Sequence, residues 1–273
     1  MRRAAGKSAL VAVSAFLATV PLSAQWLKYP TANVPRTASG QPNLNAPTPR
    51  ASDGKPDLSG LWEAEQTRPC PPAGCADLPA GERFLRSGLG TSGRSARTQP
   101  WAADLVKARR EQNGKDDLIS RCLPTGVPRM HAMPLLRKLV QVPGVLVILN
   151  EQNASFRQIF TDGRPLPDDL SHPGTATRQR SGTTDALVVQ SNGFRDGIWL
   201  DRFGSPMTDA ARVTERFRRV NFGKLEIEVT VDDPKAYIKP WTVKLNHFIA
   251  LDTDLLDYFC LENEKDVPRL VGK

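Results

Sequence analysis

Residues 213–231 read VTERFRRVNFGKLEIEVTV, and this stretch decides the fold. Side chains alternate between the two faces of a strand, so two such runs joined by a short turn form a hairpin. The turn Asn221-Phe-Gly223 between Val220 and Lys224 predicts a three-residue loop, with Gly223 supplying the left-handed position. Val213 then faces Val231, Phe217 faces Ile227 and Arg219 faces Leu225. On the other side Arg218 meets Glu226 and Arg216 meets Glu228, a ladder of opposite charges. A two-residue loop would set Glu228 against Phe217 and waste those charges. This register places Glu215 on the mostly apolar face, opposite Val229.

The following strand, read over about 238–248, continues the pattern. Tyr237, Trp241, Val243, Leu245 and His247 share one parity and turn inward with Glu215, while Pro240 suggests an edge or bulge. Upstream, Val145–Leu149 is an apolar run, Ser155–Thr161 alternates up to the turn at Asp162-Gly163, and Ala186–Gln190 is another β-rich run. A last strand is read over 255–260. Short strands separated by turn signals point to a mainly β fold, an antiparallel lipocalin-like barrel or meander. One short helix is expected from Pro100, a residue suited to the first helical position, to the stop at Asn113-Gly114. Trp101, Leu105 and Ala108 would form its buried face.

The ends of the chain have a different character. Arg2, Arg3 and Lys7 precede an apolar run from Ala9 to Val20 and then Pro21-Leu-Ser-Ala24, the order of a secretory signal peptide. Residues 1–24 are therefore read as a signal peptide and the protein as periplasmic or secreted. No run reaches the ~20 apolar residues that a spanning helix needs, so the protein is expected not to span the membrane. Removing the first 24 residues takes away three basic groups and lowers the formal charge from +8 to +5. That balance does not call for nucleic acid. Residues 25–56 carry Pro30, Pro35, Pro42, Pro47, Pro49 and Pro56 and read as a long disordered arm or linker. One β-rich domain is expected over 57–265, with a short tail at 266–273.

Four cysteines in an exported chain suggest disulfides. Of three pairings, the short Cys70–Cys75 loop is natural and leaves Cys122 to Cys260. Metal-ligand spacing is lacking. His131, His172 and His247 do not form a convincing zinc set. Asp162, Asp168, Asp169 and His172 read as turn residues rather than a calcium loop. Gly88-Leu-Gly-Thr-Ser-Gly93 matches a dinucleotide fingerprint but lacks the strand before it and the helix after it. No cofactor and no metal are expected.

Several segments carry a resemblance. Gly54-Lys-Pro-Asp-Leu-Ser-Gly-Leu-Trp62, Cys122-Leu-Pro-Thr-Gly-Val-Pro-Arg129, Arg157-Gln-Ile-Phe-Thr-Asp-Gly-Arg164, Thr214-Glu-Arg-Phe-Arg-Arg219, Pro240-Trp241 and Cys260-Leu-Glu-Asn263 occur in order. Over about 54–263 the chain resembles a group of uncharacterised exported bacterial proteins, from which no activity carries over. Where that group shows Trp-Glu-Gly-Asp, this chain has Arg180-Ser-Gly-Thr-Thr-Asp185. Gly60-Leu-Trp62 at the start of the folded part also resembles the opening Gly-x-Trp of lipocalin-like (calycin) barrels.

These readings converge on an exported binding protein for a small apolar or amphipathic molecule. Trp62, Phe217, Tyr237 and Trp241 would line its cavity, and Glu215 and His247 would orient a polar end. One alternative is a barrel isomerase or hydrolase with Glu215 and His247 as an acid–base pair. Another is a cell-envelope interaction protein that docks a partner through the arm. The bland reading of Glu215 is an internal ion pair with Arg219 or Arg157.

Overall fold

The 213–231 alternation forms the longest hairpin of the molecule, seen in a computed structural model. The structure describes residues 29–65, 98–166, 176–179 (backbone only) and 185–260. The elements are β1 (Gly60–Ala64), α1 (Pro100–Glu111), β2 (Arg137–Val142), β3 (Val145–Asn150), β4 (Phe156–Phe160) and β5 (Ala176–Gln179). They continue with β6 (Leu187–Ser191), β7 (Ile198–Trp199), β8 (Pro206–Met207), β9 (Arg212–Asn221), β10 (Lys224–Asp232) and β11 (Trp241–Ile249). The main sheet runs β1-β11-β10-β9-β6-β5-β4-β3-β2 and closes through the β1–β2 pair, while β7 and β8 form a small separate ribbon. The protein is thus mainly β, with one α-helix among the described residues.

The β9–β10 register is the one that the charges demand. Phe217 pairs with Ile227, Glu215 with Val229 and Val213 with Val231. On the outer face Arg218 and Glu226 form an ion pair of 2.7 Å. The turn itself differs from expectation. Asn221 pairs with Lys224 and a bulge restores the register at Leu225, and Gly223 is absent from the positive-φ residues. Its lack of a side chain answers a close approach instead. A Cβ there would lie 2.7 Å from Leu44 Cβ and 3.0 Å from the Leu44 carbonyl.

Leu44 belongs to the Pro-rich arm, which has no strands or helices over 29–56. It is nevertheless laid against the barrel rather than free. Phe222 N–H donates to Ala46 O and Gly223 N–H to Leu44 O, both at 2.8 Å. Thr48 Oγ1 donates to Arg219 O at 2.9 Å, and Arg50 meets Asp185 at 2.6 Å. Proline suits this role because it holds an extended backbone at little entropic cost.

Two expectations about local structure need correction. The buried face of α1 is Ala102 and Val106. Trp101 is exposed, its indole N–H donating to Lys235 O at 2.8 Å, and Ala108 is exposed too. Small Ala102 lets the helix lie close, and Arg109 stacks on Trp199 at 4.5 Å. Residues 255–260 form no strand; Tyr258 makes only an isolated bridge to Gln152. That segment is held by Cys122–Cys260, whose Cα atoms are 5.4 Å apart. Cys70, Cys75, Gly88–Gly93, the signal segment, Asp168, Asp169 and His172 lie outside the described residues.

Inward parity is kept on the barrel strands whose side chains are described. Trp62, Leu139, Leu146, Ile148, Ile159, Val189, Val213, Phe217, Ile227, Val229 and Leu245 are buried and form one cluster. Side chains therefore fill most of the interior, as barrels of this size permit. The one parallel pairing, β4 with β5, is joined by only two residue pairs, Ile159↔Ala176 and Phe160↔Thr177. The first half of β4 thus has no β5 partner. At the barrel end formed by the starts of β2 and β4 and the end of β3, the connector 118–133 lies across the mouth.

Candidate functional site at the barrel mouth

The connector is fixed before it delivers its side chains. Two 3-10 turns, Leu118–Arg121 and Arg129–Ala132, are tied by Arg129, whose guanidinium donates to both Asp117 oxygens at 2.7 and 2.9 Å. Asn153 Nδ2 donates to Cys122 O at 2.8 Å, and the disulfide anchors the same turn. The second turn then inserts His131, which is 0 % exposed, into the barrel.

His131 Nε2 stands 2.6 Å from Glu215 Oε1. Arg157, inward on β4, donates through Nη1 to Oε1 at 2.8 Å and through Nη2 to Oε2 at 2.5 Å. Its Nη2 also reaches Ser191 Oγ at 2.9 Å. Burial alone would push the Glu215 carboxyl up. The Arg157 charge and the hydrogen bonds from His131 and Arg157 outweigh it and bring the group down to about 2. Burial lowers His131 despite Glu215 beside it. We therefore assign a neutral imidazole that donates Nε2–H to a carboxylate.

A second pair adjoins the first. Arg137, the first residue of β2, approaches His247 Nε2 to 2.7 Å. Its other bonds go to the carbonyls of His131 (3.0 Å), Met133 (2.9 Å) and Leu135 (3.3 Å). Burial, then the charge of Arg137, holds His247 well below the ordinary histidine range, so Nε2 accepts from Arg137. Burial brings Arg137 itself down to about 10.

Above Arg137 and Arg157 lies a cavity of about 500 Å³. Its apolar wall includes Val127, Met130, Met133, Phe156, Phe194 and Ile198, and its polar groups include Thr125, Asn150, Gln152 and Ser155. It reaches the outer side of β4 through Gln158 and Phe160, where the seam with β5 is short.

The residues expected to form the site are therefore divided. Glu215 and His247 are inward and 0 % exposed, but they do not meet; the His131 ring bonds to Glu215, while the His131 carbonyl, like His247 Nε2, accepts from Arg137 Nη1. Trp62, Phe217, Tyr237 and Trp241 are core side chains and none lines this cavity. Trp62 donates to Leu58 O at 3.1 Å beneath the Arg219 guanidinium. Phe217 meets His131 edge-on, and Tyr237 meets Trp241. Of the two arginines considered for Glu215, Arg157 makes the pair. Arg219 donates instead to the carbonyls of Asp57, Ser59 and Phe222.

Arg137, and the pairing of His131 with Glu215, escaped the sequence reading. The connector has no periodicity to place His131. Arg137 had a signal, because Pro143-Gly144 between two apolar runs marks a two-residue hairpin, seen as Val142↔Val145. No known protein family, curated protein or solved structure matches the chain.

Proposed function

We propose that this chain is an exported, periplasmic or secreted protein with a lipocalin-like barrel that binds a small apolar or amphipathic molecule. The observation that carries the reading is the cavity of about 500 Å³ at the barrel mouth. Its size and its mix of apolar wall and few polar groups suit a small-molecule site. The seat is the mouth, floored by Arg137 and Arg157, because the rings first expected to line it are occupied in the core. A disulfide linking residues 138 positions apart accords with an oxidising compartment.

The acid–base alternative is disfavoured by the same geometry. A carboxylate brought down to about 2 is a weak base, and His247 lies beyond His131. Docking of an envelope partner through the arm would have to leave or replace the bonds that Leu44, Ala46 and Thr48 make to the barrel.

Native mass spectrometry of the protein purified from its own periplasm, before any detergent, tests the proposal. A mass increment removed by denaturation supports it. Ligand-free protein that also fails to bind an environment-sensitive apolar dye would sink it, as would dye binding unchanged by Met130→Trp or Phe194→Trp at the cavity wall.

A further inference from the structure

We infer that the mouth cavity takes an amphipathic anion, a carboxylate-headed molecule whose head sets its charge against Arg137 and whose apolar body lies along Met130, Met133 and Phe194. The inference rests on the binding reading above and names the class of ligand.

The three buried arginines of the connector and the adjoining barrel wall are treated differently. Arg129 is matched by Asp117, and Arg157 by Glu215. Arg137 is 2 % exposed, and no carboxylate among the described residues lies within ion-pair distance of it. Its four bonds go to three carbonyls and a neutral imidazole. Its Nε–H, like that of Arg157, has no partner, so the lack of a carboxylate is what sets Arg137 apart. A guanidinium taken out of water without a counter-charge is costly, and buried charges are normally paired. Arg137 lines the cavity, together with Arg157 and Arg195, and no aspartate or glutamate does. Low-dielectric walls concentrate the resulting positive potential. A cationic head would meet that field unfavourably, and a neutral one would leave Arg137 uncompensated. A carboxylate supplies the missing charge and an acceptor for a charge-assisted hydrogen bond.

The test uses the full mature chain and three probes that differ only in the head: decanoate, decanol and decylamine. Calorimetry is expected to show decanoate binding at least about tenfold more tightly than decanol, with decylamine weakest. In Arg137→Gln the difference between decanoate and decanol should shrink to roughly twofold. Arginine-labelled protein provides a second readout that does not depend on that variant folding. The Arg137 Nε–H resonance should move with decanoate and stay with decanol. Equal affinity for decanoate and decanol in the unmodified protein, or a decanoate complex that leaves that resonance in place, overturns the anion inference and leaves the binding reading intact. Failure of all three probes to bind counts against the binding reading itself and removes the inference with it.

Discussion

His131 and Glu215 are 84 positions apart in sequence, yet His131 Nε2 and Glu215 Oε1 stand 2.6 Å apart in the barrel interior. That contact joins the connector across the mouth to the wall of the barrel. With Arg157 it makes a buried set in which every charge depends on another. Glu215→Gln leaves the Arg157 guanidinium buried without its anion. It should cost about 3–5 kcal/mol in urea unfolding. Replacing both partners, as in Arg157→Met with Glu215→Leu, should recover most of that loss, because two charges no longer need desolvation. A Glu215→Gln protein as stable as the parent would show that the ion pair contributes nothing.

Acid should destabilise the protein in two stages. His131 and His247 are held below their ordinary pKa by burial, so the unfolded chain takes up protons first. Their stabilising contribution is full above about pH 6.5 and declines below it, by up to about 1.4 kcal/mol per pH unit for each histidine. Glu215 is brought down to about 2, so its contribution is present above about pH 4.5 and is lost as pH falls toward 2. Unfolding free energies between pH 8 and 3 should slope downward from near 6.5, and His247→Phe should flatten the upper part. An unchanged slope in that variant would remove His247 from the account.

The sequence made the hairpin faces legible because charge and apolarity both alternate with the same period over Val213–Val231. That placed Glu215 and His247 inward, and left Arg157 as one of two arginines that could pair with Glu215. It could not show what those groups meet. His131 arrives from a connector shaped by Asp117–Arg129 and a disulfide, with no periodic pattern. Inward parity also cannot separate a core ring from a cavity ring. Phe217 and Trp241 obey the alternation and are packed solid, while the cavity is walled by Met130, Met133 and Phe194 from irregular segments. The helix face was misjudged since hydrophobicity favoured Trp101 over Ala102, whereas close packing favoured the smaller residue.

Gly223→Ala tests whether the arm is docked in solution. The added methyl would sit 2.7 Å from Leu44 Cβ and 3.0 Å from the Leu44 carbonyl, a backbone atom held by Gly223 N–H. Overpacking at such a contact costs about 1–3 kcal/mol when the neighbours cannot move. The arm can move, so the expected outcome is its local release. Amide exchange at Phe222 and Gly223 should accelerate while exchange in β10 and β11 stays slow. Slow exchange at both amides in the variant would mean that the arm adjusts without detaching.

The Cys122–Cys260 bond closes a loop spanning 138 positions. Joining so distant a pair should stabilise the fold by about 5 kcal/mol in the chain-entropy description. It also anchors the turn at Leu118–Arg121, whose N-cap Asp117 holds Arg129, two residues before His131. Reduction should therefore act on the mouth before it acts on the barrel. In Cys122→Ser with Cys260→Ser, unfolding should shift to lower urea, and any ligand or apolar dye held at the cavity should bind more weakly at urea concentrations where β9–β10 amides remain protected. Simultaneous loss of both signals would place the disulfide in the global stability of the chain. Free thiols at both positions in the oxidised protein would refute the pairing itself.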